Sequence, residues 1–202
     1  EKQFHERMIK DYTSTMLLRD VIERYRLQNP TAVHNFFHRC ISNYSKELSV
    51  AKIYNELKSS KVKVSKESVY EFIEHFKEAF IALPLYKFTT NYAKRELQKI
   101  YLIDTSIANI THFKFSPDYG RKLENMVFIE LQRQEKEAYY HKEKNECDFL
   151  IKEKDRIVQA VHVCHELSYD NSDRELKALR EAIIKHKSKN GLILTNDQEE
   201  QI

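Results

Sequence analysis

Four residues in the second half of the chain have side chains that could do chemistry. Glu124 lies in Lys-Leu-Glu-Asn-Met-Val, Asp148 in Asn-Glu-Cys-Asp-Phe-Leu, and His162 and Cys164 in Val-His-Val-Cys. Carboxylate oxygens brought together could hold Mg²⁺. Imidazole and thiol are softer ligands, which favour zinc and other transition metals. What these residues can do therefore depends on the helix and strands that position them.

The apolar pattern places Glu124 on a helix and Asp148 on a strand. Residues 121–134 mix apolar with charged and polar side chains at helical spacing, which predicts an amphipathic helix begun by Ser116-Pro117-Asp118. Residues 138–141 and 147–151 flank a polar tip and are typical of a β-hairpin.

Another strand, a helix and a final strand follow. Arg156–Val163 is a predicted strand that contains His162, and Gly191–Thr195 is a short apolar one. Between them, Ser172-Asp-Arg-Glu175 predicts a capping box. The buried stripe of the helix that follows is predicted to be Leu176, Leu179, Ile183 and Ile184. We expect these strands and the hairpin to share one mixed sheet, with helices packed on its faces.

This order of elements, with one acid on the first helix and another on the second strand, resembles the core of the PD-(D/E)xK nuclease superfamily. A closer resemblance is to the uncharacterised C-terminal domain that follows the P-loop ATPase in many archaeal and bacterial AAA-type ATPases. Three motifs carry it: Lys99-Ile-Tyr-Leu-Ile-Asp104, Gly120-Arg-Lys-Leu-Glu-Asn-Met-Val127 and Glu146-Cys-Asp-Phe149. The resemblance covers nearly the whole chain.

The nuclease resemblance implies a metal site in which Glu124 and Asp148 are the helix acid and the first strand acid for Mg²⁺. The second strand acid and the lysine of such nucleases are expected at His162 and Cys164, so both are replaced. A thiol cannot supply the fixed charge of a lysine. Glu166 has the same strand parity as His162 and could supply a displaced acid. We therefore expect a degenerate site without Mg²⁺-dependent cleavage.

Three interpretations of this site stay open. In the first, which we favour, Glu124 and Asp148 only cap or pair, and His162 and Cys164 are satisfied core residues. The second is a working Mg²⁺ nuclease, and the third is a transition-metal site through Asp148, His162 and Cys164. The remaining candidates for metal ligands in this half, His141, His165 and His186, are scattered without ligand spacing.

Composition limits the class of protein. The chain has 202 residues, 41% of them hydrophobic and 32% charged, with a net charge of +3 that is too balanced to argue for nucleic acid in bulk. Only two glycines are present, which excludes a glycine-rich P-loop, and three unpaired cysteines indicate no disulfide framework or Cys-x-x-Cys zinc site. No apolar run is long enough to span a bilayer and no signal peptide is evident, so we expect a cytoplasmic protein.

The first half predicts four helices followed by two strands, the order of a winged helix-turn-helix. The helix that would read DNA begins after Ser65 and has an acidic exposed face, which disfavours groove binding. Basic residues instead cluster around the predicted wing, where non-specific contact with phosphate stays open. They are Lys87, Lys94, Arg95 and Lys99.

These patterns predict an α+β chain. A helical winged-helix-like module (1–104) precedes a restriction-endonuclease-like α/β domain (105–202) with a mixed sheet. The expected function is a non-catalytic interaction or nucleic-acid-associated region of an AAA-type ATPase whose P-loop domain lies upstream, since the chain begins at Glu1. The alternatives are a Mg²⁺-dependent DNA nuclease and a DNA-binding module. We expect no cofactor in this chain itself, and ATP only through the upstream domain. The expected partner is that domain, with DNA as a further possibility. The oligomeric state stays open.

Overall fold

The computed structural model describes residues 2–89, 98–111 and 118–198, apart from the side chains of residue 2 and residues 109–111. The protein is α+β, as the sequence predicts. It divides into two compact units, the first formed by residues 1–84 and 96–117 and the second by residues 85–95 and 118–202. The division predicted after Asp104 falls inside the first unit, and the segment 85–95 belongs to the second.

The first unit begins with α1 (Lys2–Met16), which runs into a π-helical segment (Leu17–Glu23). Its remaining elements, in chain order, are α2 (Pro30–Ser42), β1 (Lys46–Leu48), α3 (Val50–Ser59), α4 (Lys66–Glu78), β2 (Ala82–Tyr86), β3 (Gln98–Leu102) and α5 (Ser106–Thr111). Side chains of Asn29, Ser49 and Ser65 accept backbone N–H groups at the starts of α2, α3 and α4. Such caps satisfy donors that a helix leaves unpaired at its first turn.

The three strands of this unit form a sheet in the order β1-β3-β2, with β1 and β3 antiparallel. The elements from α2 to β3 are thus a helix, a short strand, two helices and two strands. The core of this unit is a single cluster of buried apolar side chains that includes Phe36, Phe72, Phe76 and Ile100. Four helical segments followed by two strands agree with the prediction, whereas β1 between α2 and α3 and the helix α5 after β3 are not predicted.

The predicted extent of α4 is wrong. Its apolar spacing continues through Phe80 and Leu83, which predicts one helix up to Pro84, but α4 ends at Glu78. Phe80 has a positive φ of 52° and is 65% exposed, so the chain reverses there and Pro84 lies within β2. Periodicity alone cannot detect such a turn, because the apolar side chains of the strand fall by chance on the helical phase.

The second unit contains a four-stranded sheet in the order β4-β5-β6-β7. Its elements, in chain order, are α6 (Tyr119–Arg133), β4 (Glu137–Lys142), β5 (Glu146–Glu153), β6 (Arg156–Val163), α7 (Tyr169–His186) and β7 (Asn190–Leu194). The pairs β4–β5 and β5–β6 are antiparallel, whereas β6–β7 is parallel. The predicted mixed sheet is confirmed.

The helices α6 and α7 pack on opposite faces of this sheet. Phe149 of β5 stacks on Phe128 of α6 with ring centroids 6.3 Å apart, while Leu150 belongs to a buried cluster with Leu179 of α7. Neighbouring residues of a strand point to opposite faces. Asp148, two residues before Leu150, therefore points to the α7 face.

Two details of α7 differ from the prediction. Its capping box is formed by Ser168 and Asn171 rather than by Ser172 and Glu175, so the helix begins one turn earlier. Ile184 is 77% exposed, and the buried stripe consists of Glu175, Ala178, Leu179 and Ala182. An acidic residue thus occupies a position on the buried face.

Across the ranges that the structure describes, no helix combines the length and the apolar character needed to cross a bilayer.

Candidate functional site

The ladder between β5 and β6 brings Asp148 and His162 together. Phe149 pairs with Val161 in this antiparallel ladder, and one step further puts Asp148 across from His162. Asp148 Oδ2 also accepts the backbone N–H of Val163 at 2.9 Å. Two of the predicted site residues are therefore held side by side by sheet register.

His162 lies between two carboxylates. Its Nδ1 is 2.9 Å from Asp148 Oδ2, and its Nε2 is 2.6 Å from Glu175 Oε2. The three residues are 5–8% exposed. Nδ1 has no partner that meets the geometry of a hydrogen bond, so its contact with Asp148 is described as an ion pair. The contact with Glu175 meets the geometry of a hydrogen bond.

This setting keeps His162 protonated. Burial alone would lower the pKa of His162, because it disfavours the charged ring. The contacts with Asp148, Cys147 and Glu175 outweigh burial and raise the pKa of His162 to about 11. Burial would raise the pKa of Glu175, but its hydrogen bonds to Arg174 and His162 hold that pKa below its usual value.

The four charges of this cluster balance. Asp148 and Glu175 are each negative, His162 is positive, and Arg174 donates from Nε to Glu175 Oε1 at 3.0 Å. Buried charges are tolerated when each is paired and hydrogen-bonded, and unpaired ones are costly. We call Asp148, His162, Glu175 and Arg174 the His162 cluster.

The His162 cluster is poorly suited to acid–base or nucleophilic catalysis. A general base needs a pKa near the working pH, and His162 holds its proton far above neutrality. The neighbouring thiol is not activated either, because burial and the charge of Glu175 raise the pKa of Cys164. Cys164 Sγ lies 3.0 Å from the carbonyl oxygen of Glu166. Glu166, the predicted source of a displaced acid, lies beyond the end of β6 at Val163.

The residues present do not fit Mg²⁺. A hard cation needs free oxygen ligands, but the carboxylates of Asp148 and Glu175 already face the positive ring of His162. Among the residues that the structure describes, no group of three or more His, Cys, Asp and Glu side chains is arranged to hold a metal ion. Glu124 lies half-buried on α6. Its predicted approach to Asp148 stays a prediction.

Glu175 and Arg174 belong to the His162 cluster but are not among the predicted site residues. The pattern Ser172-Asp-Arg-Glu175 predicts a capping box instead. A signal was nevertheless present, because Glu175 precedes Ala178, Leu179 and Ala182 at the spacing of one helix face. An acid that continues a buried stripe needs a buried partner, and His162 is that partner.

Two histidines described above as scattered are in contact. His186 Nε2 lies 3.0 Å from His141 Nδ1, and His141 Nε2 lies 3.1 Å from Glu181 Oε1. Glu181 also accepts the backbone N–H groups of Lys144 and Asn145 in the β4–β5 turn. This chain of contacts, the His141 cluster, ties the hairpin to α7.

The His141 cluster has the opposite electrostatic character. Burial lowers the pKa of His186 to about 4, with a further contribution from His141. Burial would raise the pKa of Glu181, but hydrogen bonds from Asn145 and His141 outweigh it and lower the pKa to about 2. His186 is therefore neutral at pH 7, so its neutral ring can share a hydrogen bond with His141.

Of the four predicted phosphate-binding residues, the structure describes Lys87 and Lys99. Lys94 and Arg95 lie outside the described residues. Lys99, on β3, is only 1% exposed, so its inclusion in a surface that binds phosphate is wrong. Lys87 is half-buried and forms an isolated bridge to Tyr140 of β4.

The segment that follows β2 is part of the second unit. Phe88 donates its backbone N–H to the carbonyl of Tyr140 at 2.9 Å. Its ring meets those of Tyr139 and His186 edge-on, with centroids 5.3 and 5.0 Å away. The first residues of the predicted wing therefore contact β4 and pack next to the His141 cluster.

Comparison with known proteins gives a family and two relatives. A model of the family described as "Domain of unknown function (DUF8612)" matches residues 1–118, a range that contains the whole first unit together with residues 85–95 of the second. An uncharacterized protein of Methanocaldococcus jannaschii, MJ1544, is 33% identical over 188 residues, covering 91% of this chain and 42% of its own. An uncharacterized protein of Haemophilus influenzae is 22% identical over 162 residues, covering 78% of this chain and 40% of its own. The chain thus spans about two fifths of the length of these relatives, and no solved structure matches it.

Proposed function

The chain belongs to the DUF8612 family, and from that premise we propose that it is a non-catalytic interaction region of a larger protein. The relatives extend well beyond it, which is consistent with a region that serves other parts of one polypeptide. The single observation that carries the absence of catalysis is the position of His162 between Asp148 and Glu175.

In a metal-dependent nuclease, a divalent cation would neutralise the carboxylates of such a site. Here the protonated ring of His162 supplies positive charge at the same carboxylates, and Arg174 balances the remainder. This supports a nuclease-like fold in which the side chains of the protein itself neutralise the acidic residues. Binding Mg²⁺ would require expelling or deprotonating His162, which the raised pKa opposes.

Nucleic-acid binding through the wing finds less support. Lys99 is buried, and the segment of Lys87 and Phe88 pairs with β4 through its backbone. The acidic exposed face of α4 also disfavours contact with phosphates. In this proposal the winged-helix unit is a protein-contacting module.

The proposed host is an AAA-type ATPase of the cytoplasm. This part of the proposal rests on the resemblance of the three motifs described above. The fraction of the relatives' length that lies outside the match leaves room for a P-loop domain. ATP would then bind there, because this chain lacks the glycines of a P-loop.

Two assays test the proposal. Isothermal titration of the protein with MgCl₂ is expected to give no site-specific heat, and incubation with plasmid, linear and branched DNA in Mg²⁺ is expected to give no cleavage. The double variant His162→Glu with Cys164→Lys is the informative comparison, since it restores an oxygen ligand and a fixed charge. Cleavage by the unmodified protein that disappears in Asp148→Ala would overturn the proposal.

A further inference from the structure

The strand β7 lies at one edge of the four-stranded sheet and has β6 as its neighbour. The backbone N–H of Cys164 donates to the Leu194 carbonyl at 2.9 Å, so Leu194 directs its backbone groups toward β6. In a parallel ladder, alternate residues of a strand point the same way. Gly191 and Ile193 therefore direct their N–H and C=O groups away from β6, where no other described strand pairs with them.

This edge is apolar and open. Asn190, Gly191 and Leu192 are all exposed, and Leu192 retains 40% of its accessible surface. The opposite edge of the sheet is different, because Lys87 bridges to Tyr140 and covers part of β4. An uncovered edge strand with exposed apolar residues is a template for pairing with another strand.

We infer that β7 pairs with β7 of a second copy of this chain, in antiparallel orientation. The register that pairs all five residues of the strand with all five of its copy places Leu192 on the two-fold axis. Gly191 of one copy then faces Ile193 of the other, and their outward N–H and C=O groups exchange hydrogen bonds. The two four-stranded sheets become one continuous sheet through an interface in which both copies use the same surface.

Charge at the ends of the strand favours a second copy in this orientation. Lys187 precedes β7, Asp197 follows it, and both are exposed. Antiparallel pairing about Leu192 brings Lys187 of each copy toward Asp197 of the other, whereas a parallel copy would set lysine beside lysine. Complementary charges of this kind fix orientation more than they add affinity.

Sedimentation equilibrium of the whole chain tests the inference. We expect a reversible dimer of twice the 24.3 kDa chain mass. Leu192→Lys would put two like charges together on the axis, and it is expected to raise the dimer dissociation constant about 100-fold or more. The matched control is Met126→Lys, a residue of α6 that is 62% exposed and lies outside β7 in sequence, for which the dissociation constant should stay within about twofold.

A charge exchange tests the orientation without touching the strand. Lys187→Asp alone is expected to weaken the dimer several-fold, and Lys187→Asp combined with Asp197→Lys is expected to restore it. Both positions are exposed, and aspartate tolerates the positive φ of 53° at Lys187, so these variants should fold. A monomeric wild-type chain, a dimer that Leu192→Lys leaves intact, or an exchange that fails to restore pairing would each overturn the inference.

Discussion

The second unit contains two histidine clusters with opposite protonation. The imidazole of His162 keeps its proton at neutral pH, whereas that of His186 does not. His162 touches two carboxylates and has its pKa raised to about 11. His186 touches a second histidine instead of an acid, and burial lowers its pKa to about 4. Burial disfavours the charged ring in both cases, so the number of carboxylates in direct contact decides the outcome.

The difference also separates two roles. In the His162 cluster a protonated ring compensates buried acids. In the His141 cluster a neutral ring links a hairpin to α7 and packs against Phe88. Neither histidine has a pKa near neutrality, so neither is poised for proton transfer there.

The largest effect is expected from removing one acid of the His162 cluster. Asp148→Asn leaves the protonated ring with a single carboxylate and should lower the free energy of unfolding by about 3–5 kcal/mol, the usual cost of breaking a buried ion pair. Urea denaturation at pH 7 measures it. Asp155→Asn, at an exposed turn position, is the matched control and should change stability by less than about 0.5 kcal/mol. Equal effects of the two variants would contradict the buried charge pair.

A smaller effect should appear at alkaline pH. The pKa of His162 is above its ordinary value of 6.5, so its stabilising contribution is complete below pH 6.5 and is lost as pH rises through about 11. The difference in unfolding free energy between the wild type and His162→Gln should therefore shrink steadily between pH 7 and 11. A constant difference across this range would show that the ring is neutral in the folded protein.

The smallest effect is expected for His186, at acid pH. Its folded pKa lies below 6.5, so the unfolded chain binds a proton that the folded protein excludes, and stability falls as pH drops from about 6.5 to about 4. The wild type should lose more stability over this range than His186→Gln does, as followed by thermal unfolding. Parallel curves for the two proteins would remove the contrast between the clusters.

The sequence predicts the helices and strands of this protein better than it predicts the charged clusters. The strands β4 to β7 follow from apolar alternation and from the polar tip between residues 142 and 146, because a half-buried sheet imposes a period of two on the chain. Asp148 and His162 come into contact through the register of β5 and β6, which shifts by one residue between Ile151 and Lys152. Apolar alternation predicts the two strands but not this shift, so it does not by itself predict the pairing of these two residues.

Contacts that depend on how a helix is rotated against the sheet could not be predicted in this way. The pattern Ser172-Asp-Arg-Glu175 predicts a capping box, whereas α7 begins one turn earlier and Glu175 lies on its buried face. His141 and His186 are 45 residues apart and meet only because α7 returns across the hairpin. The spacing of residues in the sequence predicts neither the buried position of Glu175 nor the contact between His141 and His186.

The most direct test of the account is the protonation state of His162, read from ¹⁵N chemical shifts of the imidazole ring at pH 8.5 with Asp148→Ala as reference. We predict that both ring nitrogens of His162 in the wild type carry protons, since its pKa is about 11. Addition of about 10 mM MgCl₂ should leave these chemical shifts unchanged. A neutral ring at this pH, or shifts that move on titration with Mg²⁺, would contradict the claim that the protein compensates its own acidic site.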